Sequence, residues 1–273
     1  MLIAVSSWSF HADLYAGKLH LSDMPFRAYD LGYRAVELQD LFLWPRPPGR
    51  LRRLFGRKAE PLVPGQYDRQ ALLRTHLHRH RSGTRLVCWS VDSDLASGDV
   101  AAQKATLAAA IEAAHFLNAP ILRLTLGGQE NDRAGFDRAT DLVRNVLPVV
   151  MAFDLKIAIE NHGGLSGDAA TLIEFVSQFN SPHVGVCLDF GNFNDPAGVA
   201  ESIGLLAPRA IHVHAKSRAF KDNGEEATID YRLCLSALKA ANYDSAISIE
   251  YEGDGDAATG IKRTRDLIEK YWG

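Results

Sequence analysis

The amino-acid sequence predicts an α/β protein folded as a single-domain (β/α)8 TIM barrel. Three observations carry that expectation. Short runs rich in β-branched residues alternate with amphipathic or alanine-rich stretches along the whole chain. Eight such units fit into 273 residues, about one every 35, which is close to a barrel of roughly 250 residues divided by eight. The first strand runs into Ser6-Ser7-Trp8-Ser9-Phe10 rather than a glycine-rich turn, and neither GxGxxG nor GxxxxGK[ST] occurs. An open, doubly wound nucleotide-binding sheet therefore lacks its phosphate cradle.

The elements follow in order. Strands are expected at 2–6, 34–38, 85–90, 121–126, 156–160, 184–188, 210–214 and 246–250. Helices are expected at 67–81, 100–117, 136–153, 169–179, 231–241 and 258–271, with shorter ones near 23–31 and 196–206. Leu31-Gly32-Tyr33, Asn118-Ala119-Pro120 and Ala241-Asn242-Tyr243 supply the stops, because Gly and Asn accept the left-handed backbone that ends a helix.

Composition removes several function classes. With 47% hydrophobic and 23% charged residues, the chain is neither disordered nor fibrous. A formal charge of -3 argues against a nucleic-acid partner, which calls for a basic field. Cys88, Cys187 and Cys234 lie far apart with no CxxC pair, so neither a disulfide framework nor a zinc knuckle is expected and a reducing, cytoplasmic setting is. The start lacks a basic n-region and a cleavage signal, and no apolar run is long enough to span a membrane. A homo-oligomer stays open.

One insertion breaks the rhythm. Residues 43–66 hold five of the eleven prolines and six Arg or Lys against Glu60 alone. Following a strand, the segment belongs to the βα loops that carry barrel active sites. Two readings stand: a solvated loop, or a lid that brings positive charge over an anionic substrate or an oligomer neighbour.

The last four strands show where the chemistry lies. Barrel strands point alternate residues inward. The inward series are Ala158, Glu160 and His162; Cys187 and Asp189; His212, His214 and Lys216; and Ser248, Glu250 and Glu252. Glu160, Asp189, His214 and Glu250 thus converge from four consecutive strands at one side of the barrel mouth. Uncompensated, the three carboxylates would raise one another's pKa, and a divalent cation resolves the repulsion. Three oxygen donors and one imidazole suit one Mn2+, Mg2+ or Co2+ ion, whereas Zn2+ prefers more nitrogen or sulfur.

The motifs I-E-N-H at 159–162, L-D-F-G-N at 188–192, H-V-H-A-K at 212–216 and I-E-Y-E at 249–252 resemble the xylose isomerase-like TIM barrel superfamily. Within it they are most similar to the sugar phosphate isomerase/epimerase group, which includes ketose 3-epimerases and inosose dehydratases. The resemblance implies that Glu160, Asp189, His214 and Glu250 are metal ligands, with Glu160 and Glu250 also the catalytic acid/base pair. The sequence departs from ketose 3-epimerases at Asn192, where those enzymes tend to carry histidine. It also lacks the extra histidines and aspartates of the three-zinc endonuclease IV branch, which counts against a DNA-repair nuclease.

Substrate contacts are expected from Trp8, His162, Asn192 and Lys216, the second and fourth standing one step beyond metal ligands on the inward face. Phe10 and Trp89 are further candidates for an apolar wall against a sugar ring. Arg123 shares the inward parity of its strand, as a site residue or as a buried partner for a carboxylate. His76, His78 and His80, read at i, i+2 spacing on a helix, are expected to fan apart on the surface. Together these readings describe a metal-dependent isomerase or epimerase that moves a proton beside the carbonyl of a small sugar or polyol through an ene-diolate. A dehydratase or lyase on a keto-sugar or keto-polyol is the alternative, and a non-catalytic sugar-binding subunit is the reading from another class.

Overall fold

In the computed structural model, residues 1–43, 66–97 and 99–273 are described. Nearly all of the basic 43–66 insertion lies outside the described residues. Eight strands close a parallel barrel in sequence order: β1 (Leu2–Ser6), β2 (Ala35–Gln39), β3 (Arg85–Ser90), β4 (Ile121–Leu124), β5 (Lys156–Glu160), β6 (Val184–Asp189), β7 (Ala210–Ser217) and β8 (Ala246–Tyr251). β8 returns to β1 with Leu2 opposite Ala246 and Val5 opposite Ile249, so no strand edge is left to pair elsewhere.

The described helices are α1 (His11–Ala16), α2 (Met24–Asp30), α3 (Arg69–Ser82), α4 (Val100–Leu117), α5 (Arg133–Ala152), α6 (Ala169–Ser177), α7 (Val199–Leu206), α8 (Tyr231–Ala240) and α9 (Ala257–Trp272). Most start on an aspartate. Asp68, Asp99, Asp132, Asp168, Asp230 and Asp256 each accept a backbone N–H of the first turn. Such a cap contributes about 0.5–2 kcal/mol. Several end on left-handed residues, as at Gly83 (φ 66°) and Asn118 (φ 54°).

Two layers of apolar packing follow from strand alternation. Outward residues such as Val36, Leu38, Ile157, Ile159, Val213, Ile247 and Ile249 form the main core against the helices. Each fully buried Leu or Ile there contributes about 1.5–3 kcal/mol. Inward residues are small lower in the barrel, with Ala4, Ala35, Cys88, Ala158 and Cys187 in one cluster. One residue pair further along the strands, the interior becomes polar: Ser6, Glu37, Ser90, Arg123, Glu160, Asp189, His214 and Glu250 are all buried. The small layer leaves room for long polar side chains above it, and that layer positions the site.

Several elements differ from the sequence reading; β7, for one, runs on to Ser217 rather than stopping at 214. β4 stops at Leu124 because the Thr125 N–H is taken by Ser93 Oγ at 2.9 Å instead of continuing the ladder. α5 starts earlier than expected, at Arg133, where Asp132 caps it through the Gly135 N–H. The six-residue α1, following a 3-10 turn over Ser7–Phe10, is too short to show a hydrophobic period. Among the described residues, no helix is long and apolar enough to cross a membrane.

Candidate metal centre

The four residues expected from strand parity come together. One ligand-type atom from each of Glu160, Asp189, His214 and Glu250 lies within 4.8 Å of the others, and all four residues are buried. His214 Nδ1 is the focus, 3.2 Å from Glu160 Oε1, 3.6 Å from Glu250 Oε2 and 3.7 Å from Asp189 Oδ2. Neighbouring polar groups hold the carboxylates in place. Asn161 clamps the Asp189 peptide, accepting its N–H at 2.8 Å and donating to its carbonyl at 2.9 Å. Asp189 Oδ1 accepts the Gly191 N–H, which turns Oδ2 toward the cluster. Ser6 donates to Glu250 Oε1, leaving Oε2 inward.

This arrangement fits a divalent cation. The donors are oxygen-rich with one imidazole, and the buried Asp189 Oδ2 and Glu160 Oε2 have ion-pair contacts but no hydrogen bond among the described residues. Positive groups already balance part of the charge. Arg123 Nε lies 3.2 Å from Glu160 Oε2, and its Nη2 donates to Gln39 Oε1 at 2.8 Å. Burial alone would raise the Glu160 pKa, but Arg123 and His214 reverse this and hold the carboxyl below its usual range. Lys216 Nζ lies 2.9 Å from Glu250 Oε2, 3.2 Å from Asp189 Oδ2 and 3.0 Å from Glu252 Oε1. Desolvation would lower the Lys216 pKa, and these carboxylates instead hold it well above the usual lysine value.

Glu37 on β2 is a residue the sequence reading missed, as are Gln39 and Asp92 of the cavity described below. Glu37 is fully buried, accepts from His214 Nε2 at 2.9 Å and His212 Nε2 at 2.7 Å, and also accepts the Ser90 hydroxyl. Burial raises its pKa, and His214 and His212 more than reverse this, keeping it well below the usual carboxylate range. Its carboxylate fixes a proton on His214 Nε2, so that Nδ1 faces the cluster as a lone pair when the ring is neutral. The signal was available: Ala35, Glu37 and Gln39 share the inward parity, with Val36 and Leu38 outward.

A cavity of about 200 Å3 opens onto the cluster, lined by Trp8, Gln39, Asp92, Arg123, Thr125, Glu160, His162, Lys216, Glu250 and Glu252 among others. Trp8 donates its indole N–H to Glu252 Oε1 at 2.7 Å, and His162 is exposed at the rim. Asn192 reaches the site through Glu160, donating to its Oε1 at 3.2 Å. Gly164, in the loop beyond His162, has φ 50°, and a Cβ there would lie 2.5 Å from the Gly128 carbonyl, so the crossing of two βα loops requires glycine. Just past Gln39, Asp40 accepts the Asp92 N–H at 2.8 Å, and burial pushes its pKa up to about 7.

Phe10 and Trp89 are not wall residues; both are buried in the main core. Cys88, Cys187 and Cys234 are free and buried. His76 and His80 do not fan apart: four residues apart on α3, their rings meet at 4.5 Å, while His78 turns to Ser22 and Asp23. A larger cleft of about 660 Å3 lies over the loops after β4, β5 and β6, lined by Glu130, Asp168, Asp195 and Glu201 with no Lys, Arg or His among its described residues. It lacks convergent acid, base and cation groups, so the smaller cavity is the better candidate for chemistry.

Comparisons with known proteins agree with this architecture. The chain matches the family described as xylose isomerase-like TIM barrel over residues 26–271. It is 28% identical over 113 residues to 3-oxo-isoapionate decarboxylase of Pectobacterium atrosepticum, covering 40% of this chain and 39% of that protein. The alignments span about half or less of the curated relatives, 48% and 39% of their lengths. Among solved structures, a D-tagatose 3-epimerase-like protein superposes with a TM-score of 0.72 at 20% identity, covering 99% of this chain and 98% of that one. An IOLI protein with a bound zinc atom superposes with a TM-score of 0.71 at 14% identity, covering 99% of both. Taken with the closed barrel and the match over nearly the whole sequence, these findings show that the chain belongs to the xylose isomerase-like TIM barrel family.

Proposed function

We propose that the protein is a divalent-metal-dependent isomerase or epimerase of a small sugar or polyol. The observation that carries this reading is the convergence of Glu160, Asp189, His214 and Glu250 within 4.8 Å beside a cavity of monosaccharide size. Glu160, Asp189, His214 and Glu250 would hold a divalent ion there, and the chemistry it would supply is Lewis-acid polarisation of a substrate carbonyl, which would acidify the neighbouring C–H. The oxygen-rich donor set favours Mn2+, Mg2+ or Co2+ over Zn2+. Glu160 and Glu250, on β5 and β8, take the proton and return it. Return to the opposite face is epimerisation, and return to the adjacent carbon is isomerisation. Trp8 covers the substrate, and His162 with Lys216 holds its oxygens.

A lyase is the second reading. Arg123 and Lys216 line the cavity and offer charge to a substrate carboxylate, and one relative is a decarboxylase. Both readings are tested by incubating protein, Mn2+ and a panel of keto-sugars and sugar acids in D2O. Deuterium at a carbon next to the carbonyl with the skeleton intact supports the isomerase or epimerase, and loss of water or carbon dioxide supports the lyase. No exchange and no product across the panel counts against both.

A further inference from the structure

Lys216 makes a set of contacts that substrate binding alone does not explain. It is 2% exposed, and its ammonium rests on Glu250 Oε2 and Asp189 Oδ2. Those are the two oxygens that face His214 Nδ1 across the cluster. A third carboxylate, Glu252, takes the same ammonium from the solvent side at 3.0 Å and is itself one-fifth exposed. Trp8 Nε1 and Arg218 Nη2 hold Glu252 at 2.7 and 3.1 Å, so its position does not depend on Lys216.

We propose that Lys216 is a tethered counter-cation that competes with the divalent ion for Asp189 Oδ2 and Glu250 Oε2, and that Glu252 receives its ammonium when the ion binds. This rests on the metal-site reading of the proposed function. The physical basis is charge. Buried carboxylates left without a cation repel one another, and a buried charge without a partner is costly. An ammonium on a flexible four-carbon stem relieves that repulsion in the metal-free protein and then moves aside with little rearrangement of the strands. Binding of the ion is thus an exchange of one cation for another. Affinity is set by how well Glu252 competes for the displaced lysine.

The test is calorimetric titration of Mn2+ into chelator-treated protein at one fixed pH, for wild type, Lys216→Met, Glu252→Gln and the double variant. Lys216→Met is expected to bind Mn2+ about tenfold or more tightly, and Glu252→Gln to bind it more weakly. In the double variant the effect of Glu252→Gln is expected to vanish, because the carboxylate acts through the lysine. Equal or weaker binding by Lys216→Met overturns the proposal, as does the same Glu252→Gln loss with and without the lysine. Lys216→Gln, which can still donate to the carboxylates, repeats the comparison if Lys216→Met fails to fold. Wild type that binds Mn2+ while neither neutral variant binds it more tightly overturns only this proposal. Absence of Mn2+ binding in every protein overturns the metal-site reading as well. Tight binding by the variants with a silent wild type supports the competition.

Discussion

Replacing Glu37 with glutamine changes one oxygen for an amide nitrogen at a fully buried position. The native carboxylate accepts from both His212 Nε2 and His214 Nε2 and from the Ser90 hydroxyl. Glutamine has one acceptor oxygen, so its NH2 must face one of the imidazoles. Next to His214 it forces Nε2 to accept, which moves the ring proton to Nδ1, the atom 3.2 Å from Glu160. A protonated Nδ1 cannot ligate. Changing a residue that orients a ligating imidazole in this way reduces metal affinity by about 10–100-fold. If the amide instead turns toward His212, one donor is left unpaired in the barrel interior, costing about 1–3 kcal/mol of folding stability. The assay is a Mn2+ titration of the purified variant beside urea unfolding of both proteins without metal. Metal affinity and unfolding midpoint both equal to wild type would falsify the role assigned to Glu37.

Asp189→Asn keeps the shape of a cluster member and removes its charge; retained metal after dialysis, measured by atomic emission, is expected to fall by more than about tenfold. Glu160→Gln and Glu250→Gln are expected to lower exchange of the substrate C–H with D2O by about 10²–10⁴-fold at saturating Mn2+ while still binding a substrate analogue; wild-type exchange in both variants rules out the two-glutamate scheme. Asp40 has a folded pKa of about 7 against 3.8 for the free side chain, so the folded state binds its proton more tightly. Its favourable contribution is therefore present at low pH and lost as pH rises from about 4 through 7, by at most about 4 kcal/mol. The stability difference between wild type and Asp40→Asn, followed by urea unfolding from pH 4.5 to 8, is expected to move against wild type as pH rises; a flat difference counts against it.

Parity made most of the site legible before any coordinates. A barrel wall has chemically different sides, so Glu160, His214 and Glu250 stand out among outward Ile159, Val213 and Ile249. The same rule, carried to β2, would have found Glu37. Aromatics do not sort this way: Trp8 and Trp89 both fit a strand end, yet Trp8 lines the cavity and Trp89 is packed against Tyr67 in the core. Nor does local sequence report tertiary hydrogen bonds, such as the Ser93 hydroxyl that ends β4. The histidines of α3 show a different error, in which the i, i+2 neighbours hid the i, i+4 pair His76 and His80. The basic segment 43–66 lies almost wholly outside the described residues, so its two readings stand as they were.

The helix caps have an effect beyond the helices they start. In a parallel α/β barrel every helix that follows a strand begins at the face where the strands end. Asp68, Asp99, Asp132, Asp168, Asp230 and Asp256 therefore stand around the rim of the same mouth. Residues chosen to satisfy peptide N–H groups thus form a fixed anionic collar at the entrance. These carboxylates attract an approaching divalent ion, while the six Arg and Lys of the 43–66 insertion, which follows β2 in the sequence and so belongs to the same face, oppose them. The ionic-strength dependence of ion uptake therefore reports which set prevails: uptake slows with added salt if the capping carboxylates dominate and quickens if the basic segment does, as the Debye length contracts to about 8–10 Å.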